Sequence, residues 1–223
     1  MPYRNQPLVT DEIYHIMNRG VAKAPIFYTQ KDYRQFIETI DYYRFESAPG
    51  KLSIFKALGV DQRQVIKADL EKKNEKIVEI LAYCLMPNHF HLLLKQLQDG
   101  GISLFMRKIS ASYSHYFNLK NERVGALFQG VFKAVRVVSE EQLLHVIRYL
   151  HINPYVGLAI RKEQLKNYPW SSLPNYLNDQ QSNLINPVTI REYFSSGKKH
   201  WEFIINEADY KRQIKRLSCL HLE

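Results

Sequence analysis

His89 and His91 flank Phe90 in the stretch CLMPNHFHLLL, residues 84–94. Side chains two apart on a strand share a face. A strand starting at His89 therefore holds both imidazoles over one surface and buries Phe90, Leu92 and Leu94 on the other. Histidine is the commonest metal ligand, so the pair reads as half of a metal site. Asn153 offers an amide oxygen as a third donor, although an Asn before a proline also suits a helix cap or turn. Imidazoles, an amide and phosphate oxygens suit Mg2+ or Mn2+, and imidazoles also attract zinc, so ligand type leaves the metal open.

A nucleophile for such a site has three tyrosine candidates. Tyr113 and Tyr116 fall on the apolar stripe of one helix, where packing accounts for them, whereas Tyr149 lies on the polar side of another. There is no GxSxG elbow and no reactive-cysteine pattern. A phenol with an ordinary pKa of about 10 needs help at neutral pH; His145, His151 or a metal-bound water could take its proton. Residue types and spacing thus point to a metal-assisted nucleophilic site without identifying it.

The elements that must position these groups can be read in order. Residues 12–19 alternate as a half-buried strand. Thr29 and Asp32 form a capping arrangement for a helix with Tyr33, Phe36, Ile37, Ile40 and Tyr43 at helical spacing. Pro49 and Gly50 break it, and the Lys- and Glu-rich segment 51–76 reads as an insertion of one or two surface helices. Ile77–Met86, almost continuously apolar, suits a central strand covered on both faces. Pro87 and Asn88 turn the chain into the histidine strand. A second helix presents Ile102, Phe105, Met106, Ile109, Tyr113, Tyr116 and Phe117. Leu127–Val138 reads as a strand with a kink near Gly130.

Ser139 and Gln142 cap a third helix, which Pro154 is expected to end. His145, Tyr149 and Asn153 fall at successive i, i+4 steps along it. The order of elements predicts an α+β domain with helices packed on an antiparallel sheet, residues 1–175. Residues 176–223 form a small, basic helical extension, with patterns around Ile190–Phe194, Trp201–Ile205 and Tyr210–Leu217.

The chain carries 31 Lys and Arg against 22 Asp and Glu, a net charge of +9 that favours polyanionic partners. Arg107, Lys108, Lys120, Arg123, Lys133 and Arg136 sit near the candidate site in sequence order and could contact a polyanion's phosphates. Lys133 and Arg136 are the favoured pair, though without a bulge their odd spacing sends them to opposite faces of a strand. Two cysteines, Cys84 and Cys219, are too few for a disulfide framework or a Cys-rich zinc module. No run of about 18 apolar residues occurs and the N-terminus lacks a signal-peptide pattern, so a cytoplasmic protein without a membrane partner is expected.

Five motifs in register carry more than any one of these features. CLMPNHFHLLLK, SLFMRKISASYSHYFN, GALFQGVFKAVRV, RYLHINP and YPWSS resemble, in sequence and order, the single-tyrosine HUH transposases, most closely the REP-associated tyrosine transposases and their insertion-sequence relatives. The resemblance spans roughly residues 12–175. It implies a ferredoxin-like or RRM-like domain that cuts and joins single-stranded DNA at hairpin-forming repeats. By that likeness His89 and His91 correspond to the metal ligands, Asn153 to the third ligand, and Tyr149 to the nucleophile. Attack on a phosphate would give a 5′-phosphotyrosine and a free 3′-hydroxyl, with Mg2+ or Mn2+ and no nucleotide cofactor. Relatives in this superfamily include dimers, which makes a homodimer an expectation. Segment 51–76 and the region after residue 180 depart from the pattern. Two other classes compete: a domesticated, non-catalytic nucleic-acid-binding protein on an RRM-like sheet, and a metal-dependent phosphoesterase that uses water.

Overall fold

The computed structural model describes residues 7–178, 182–209 and 211–212. Its first strand, β1 (Ile13–Arg19), alternates buried Tyr14 and Ile16 with His15, Met17 and Arg19. Antiparallel pairing sets His15, Met17 and Arg19 opposite Leu93, His91 and His89 of β3 (His89–Gln96). Residues directly opposed across a pair share a face, so this face gathers three imidazoles. β2 (Val78–Met86) pairs with the other side of β3 and sets Cys84 beside His91 and Met86 beside His89. β4 (Lys133–Val137) pairs with β1, giving the sheet order β2-β3-β1-β4.

Two helices fill the crossovers: α1 (Gln30–Tyr43) and, after the insertion helices α2 (Leu52–Ala57) and α3 (Val60–Lys73), α4 (Gly101–Lys120). Strand, helix, two strands, helix, strand in this order is the ferredoxin-like arrangement the resemblance implied. Phe90 lies 4.9 Å from Phe36 of α1, which meets Tyr113 of α4 at 5.0 Å, so α1 and α4 cover the apolar face. Asp32 joins them. Its buried carboxylate accepts from the Thr29 backbone N–H at 2.8 Å, from Lys120 Nζ at 2.6 Å and from the Tyr116 hydroxyl at 2.9 Å. Burial alone would raise this carboxyl, but the bonds from Lys120, Thr29, Tyr116 and Tyr28 hold it below the ordinary carboxylate range. The histidine face is covered by α5 (Glu140–Val156), capped by Ser139 Oγ accepting from the Gln142 N–H at 3.2 Å.

Three expectations are corrected. β2 is buried on both faces yet stands at the edge of the sheet, because the chain after α5 seals that edge. Leu85 N–H donates to Trp170 O at 2.8 Å, Ser172 N–H to Tyr83 O at 3.0 Å and Asn186 N–H to Ile80 O at 2.9 Å. An apolar run reports double coverage, and coverage does not require a strand on each side. Pro154 does not end its helix: α5 continues to Val156, and Gly157 N–H closes the last turn on Asn153 O at 2.6 Å. So near the C-terminus a proline forfeits one helical hydrogen bond rather than the helix. The strand expected over 127–138 shrinks to five residues; Gly130, with φ at +66°, belongs to a bend whose Phe128 bridges Gly20.

The last part of the described chain holds α6 (Leu173–Leu177), α7 (Val188–Arg191) and α8 (Gly197–Ile205), with α8 packed on both α5 and α6. Arg148 of α5 donates from Nε to Phe203 O at 3.0 Å and lies 3.9 Å over the Phe203 ring, while the Tyr155 hydroxyl donates to Asp209 at 2.7 Å. The expected helical pattern at Tyr210–Leu217 lies outside the described residues apart from Lys211 and Arg212. Among the described residues no helix is long and apolar enough to cross a membrane.

Candidate active site

The turn at Pro87 and Asn88 starts β3 at His89, so both imidazoles emerge on the α5 side at the mouth of the sheet. There they line a cavity of about 840 Å³ together with Arg19, Lys23, Asn88, Gln129, Lys133, Tyr149 and Asn153. The ring centres of His89 and His91 are 5.0 Å apart, and Tyr149 meets His91 edge-on at 5.4 Å. Tyr149 and Asn153, one helical turn apart on α5, thus face the histidine strand within the same chain.

Electrostatics differ from group to group. Burial pushes the Tyr149 phenol above its ordinary pKa, and Cys84 adds to this while the Arg19 charge opposes it. The phenol is therefore protonated at neutral pH and needs a proton acceptor or a charged neighbour when it attacks. It remains 39% exposed, open to a strand of substrate. Asn153 is buried, and its Nδ2 has no hydrogen-bond partner among the described residues, an unfinished polar group at the cavity wall. The close approach of Gly157 keeps it there, since a Cβ on that residue would come within 2.8 Å of Asn153 O and 2.7 Å of Met86 Cε.

Two hydrogen bonds hold the imidazoles from behind. His89 Nδ1 lies 2.6 Å from Asn88 Oδ1, and His91 Nδ1 lies 2.9 Å from His15 Nε2. His15 is buried, which lowers its pKa to about 4 and keeps it neutral. His15, Asn88, Arg19, Lys23 and Gln129 were not legible as site residues from spacing alone. His15 and Arg19 alternate on β1 with the right parity, but only the β1–β3 pairing brings that face to His91.

The remaining candidates are not brought to the cavity. Tyr116 lies on the other side of the sheet and donates to Asp32, which pushes its phenol far up along with burial. His151 is fully buried behind α5, 2.9 Å from Ser172 Oγ, with burial holding its pKa well below the ordinary value. His145 opens into a separate groove shared with Arg136 and Phe203. Arg107 and Lys108 belong to α4 and Arg123 to the turn after it, where Arg123 donates to Asn118 at 2.9 Å. Arg136 pairs with Glu12, while Lys133, opposite Met17, keeps to the cavity face. Proximity in sequence order did not translate into proximity in space, because α4 and α5 cover opposite faces.

Among the described residues no three His, Cys, Asp or Glu side chains gather as a metal-binding group. A divalent ion here would rest on two imidazoles and an oxygen of Asn153, all three of which line the cavity, with substrate phosphate completing the set.

Comparison with known proteins agrees with the motifs. A family profile described as transposase IS200 like matches residues 55–153, a span that holds His89, His91, Tyr149 and Asn153 and begins inside the segment read as an insertion. The solved REP-associated tyrosine transposase bound to a REP hairpin is similar in fold, with a TM-score of 0.52 at 17% identity, covering 83% of this chain and 94% of that one. A Deinococcus radiodurans R1 protein with a transposase designation aligns at 15% identity over 66% of this chain and 94% of its own, with a TM-score of 0.29, too low to inform the fold. No curated protein matches the chain.

Proposed function

We propose that this chain, whose residues 55–153 match the IS200-like transposase profile, cleaves and rejoins single-stranded DNA with Tyr149 as nucleophile. The observation that carries the reading is the meeting of Tyr149 and His91, ring centres 5.4 Å apart, on one cavity shared with His89 and Asn153. The Tyr149 oxygen attacks a backbone phosphorus in line. An O–P bond to the phenol forms as the bond from phosphorus to the 3′-oxygen breaks; the phenolic proton is lost and the leaving oxygen is protonated to a free 3′-hydroxyl. One phosphodiester replaces another, so its energy is kept for the reverse attack and no nucleotide cofactor is required.

Arg19 and Lys133 line the cavity as cations for the phosphate backbone, and Arg19 also favours the developing phenolate. Mg2+ or Mn2+ held by His89, His91 and Asn153 would supply Lewis-acid polarisation of a non-bridging phosphate oxygen. The hairpin in the similar solved structure supports hairpin-forming repeats as the substrate class. Helix α8 and Asp209 act as a brace for α5, and a homodimer fits the family reading.

The test is a denaturant-resistant protein–DNA adduct formed on hairpin-bearing single-stranded DNA with Mn2+ or Mg2+. Tyr149→Phe is expected to abolish it. An adduct that survives Tyr149→Phe and disappears in Tyr116→Phe would overturn the assignment; hairpin binding with no adduct in the unaltered protein would favour the non-catalytic alternative.

A further inference from the structure

We propose that Asn88 and His15 are positioning residues that fix both histidines of the candidate centre with Nδ1 turned inward and Nε2 presented to a divalent cation. The inference rests on the metal reading above and adds residues that spacing assigned only to a turn and a strand. Asn88 Nδ2 donates to the Lys23 carbonyl at 3.0 Å. A carbonyl accepts only, so this bond settles which way the amide points, and Oδ1 is the atom 2.6 Å from His89 Nδ1. An amide oxygen also accepts only. His89 therefore carries its proton on Nδ1, and its neutral ring has the lone pair on Nε2, the form a metal ligand needs.

His91 reaches the same state through a different partner. Its Nδ1 lies 2.9 Å from His15 Nε2, so the two rings share one proton on that line. Ligation at His91 Nε2 requires that proton to sit on His91 Nδ1 and be donated to His15, whose own proton then occupies its Nδ1. His15 comes from β1 and Asn88 from the β2–β3 turn, so two separate elements orient the pair. A ligating histidine held from behind by a polar acceptor gains both orientation and basicity, and loss of such a partner typically weakens metal binding ~10–100-fold.

The experiment combines two readouts on the full chain. Nitrogen-15 NMR of the metal-free protein should find His89 protonated at Nδ1, and Asn88→Ala should move it toward the Nε2-protonated form that free histidine favours. Mn2+ binding, followed by the electron paramagnetic resonance of free Mn2+, should weaken ~10–100-fold in Asn88→Ala and in His15→Leu. Asn88→Asp and His15→Gln, which restore an acceptor, should recover most of it. Finding His89 protonated at Nε2 in the unaltered protein overturns the inference whether or not any variant folds. So does Mn2+ affinity that is unchanged in Asn88→Ala and His15→Leu but lost in His89→Ala, an outcome that leaves the metal reading intact. Unchanged affinity in His89→Ala overturns the metal reading and this inference together.

Discussion

Strand β3 has two faces that obey different physics. On one, Phe90, Leu92 and Leu94 are fully buried beneath α1 and α4, in a packing whose worth is set by area and shape. On the other, His89 and His91 meet half-exposed Tyr149 across a cavity, and their arrangement depends on directional bonds to Asn88 and His15. Because side chains alternate, the packed face sets the register and the register delivers the histidines; a slip of one residue would exchange the two sets. The apolar face is thus what makes the polar face possible, although only the polar face carries chemistry.

The largest expected effects separate the two faces cleanly. Phe90→Ala should destabilise the fold by about 3–5 kcal/mol, read as a lowered urea midpoint, since a large buried ring leaves a cavity. Tyr149→Phe should do the reverse, eliminating the covalent adduct while shifting the midpoint by less than about 1 kcal/mol, because it removes a half-exposed hydroxyl and leaves the ring packing. If both variants lost stability equally, the division of labour would be wrong.

Next in size is an acid effect behind the histidine face. His200 is buried in the brace on α5, stacked 4.1 Å from Phe194, and burial lowers its pKa to about 4; His151 beside it is lowered for the same reason. A histidine that is neutral when folded and ordinary when unfolded favours unfolding once the unfolded chain takes up the proton. Stability is therefore complete above pH 6.5 and falls as pH drops from there toward 4. For His200 the loss is roughly 3 kcal/mol at the acid end. Urea midpoints at pH 7 and 4.5 should differ less in His200→Phe than in the unaltered chain; an equal difference would place the acid sensitivity elsewhere.

This asymmetry also explains what could be read from the sequence. Period-two alternation located β1 and β3, helical spacing located α1, α4 and α5, and the Thr29–Asp32 and Ser139–Gln142 caps fell where expected. These are local signals, fixed by residues within a turn or two. The pairing of His15 with His91, 76 residues apart, is set by the sheet and has no local trace. Asn88 looked like a turn residue because it is one; its second role depends on the Lys23 carbonyl meeting it across the fold. β2 read as central for the same kind of reason, its edge being sealed by Trp170, Ser172 and Asn186, far along the chain.

A smaller effect should appear where α5 touches the sheet. Gly157 is set so tightly against Asn153 O and Met86 Cε that Gly157→Ala must move the end of α5 or the Met86 side chain. About 1–3 kcal/mol of lost stability is expected, with a larger fractional loss of adduct formation, because Asn153 and Tyr149 ride on the helix that shifts. A loss of stability with full adduct formation would show that the site tolerates movement of α5.

The finest test of the two-face division lies in β4, where a single strand carries both favoured basic residues. Lys133 stands opposite Met17 on the cavity face, whereas Arg136 stands opposite Tyr14 on the other face and is occupied by Glu12. Their charges are equal, so a model in which overall basicity holds the DNA predicts equal losses on replacing either. The face model predicts that Lys133→Ala weakens single-stranded DNA binding several-fold at low salt and reduces the salt slope by about 1, as expected for one lost phosphate contact. Arg136→Ala should leave affinity and slope unchanged, since it removes a cation already paired and turned away from the cavity. Equal effects of the two substitutions would mean that DNA follows the outer edge of the sheet rather than the histidine face.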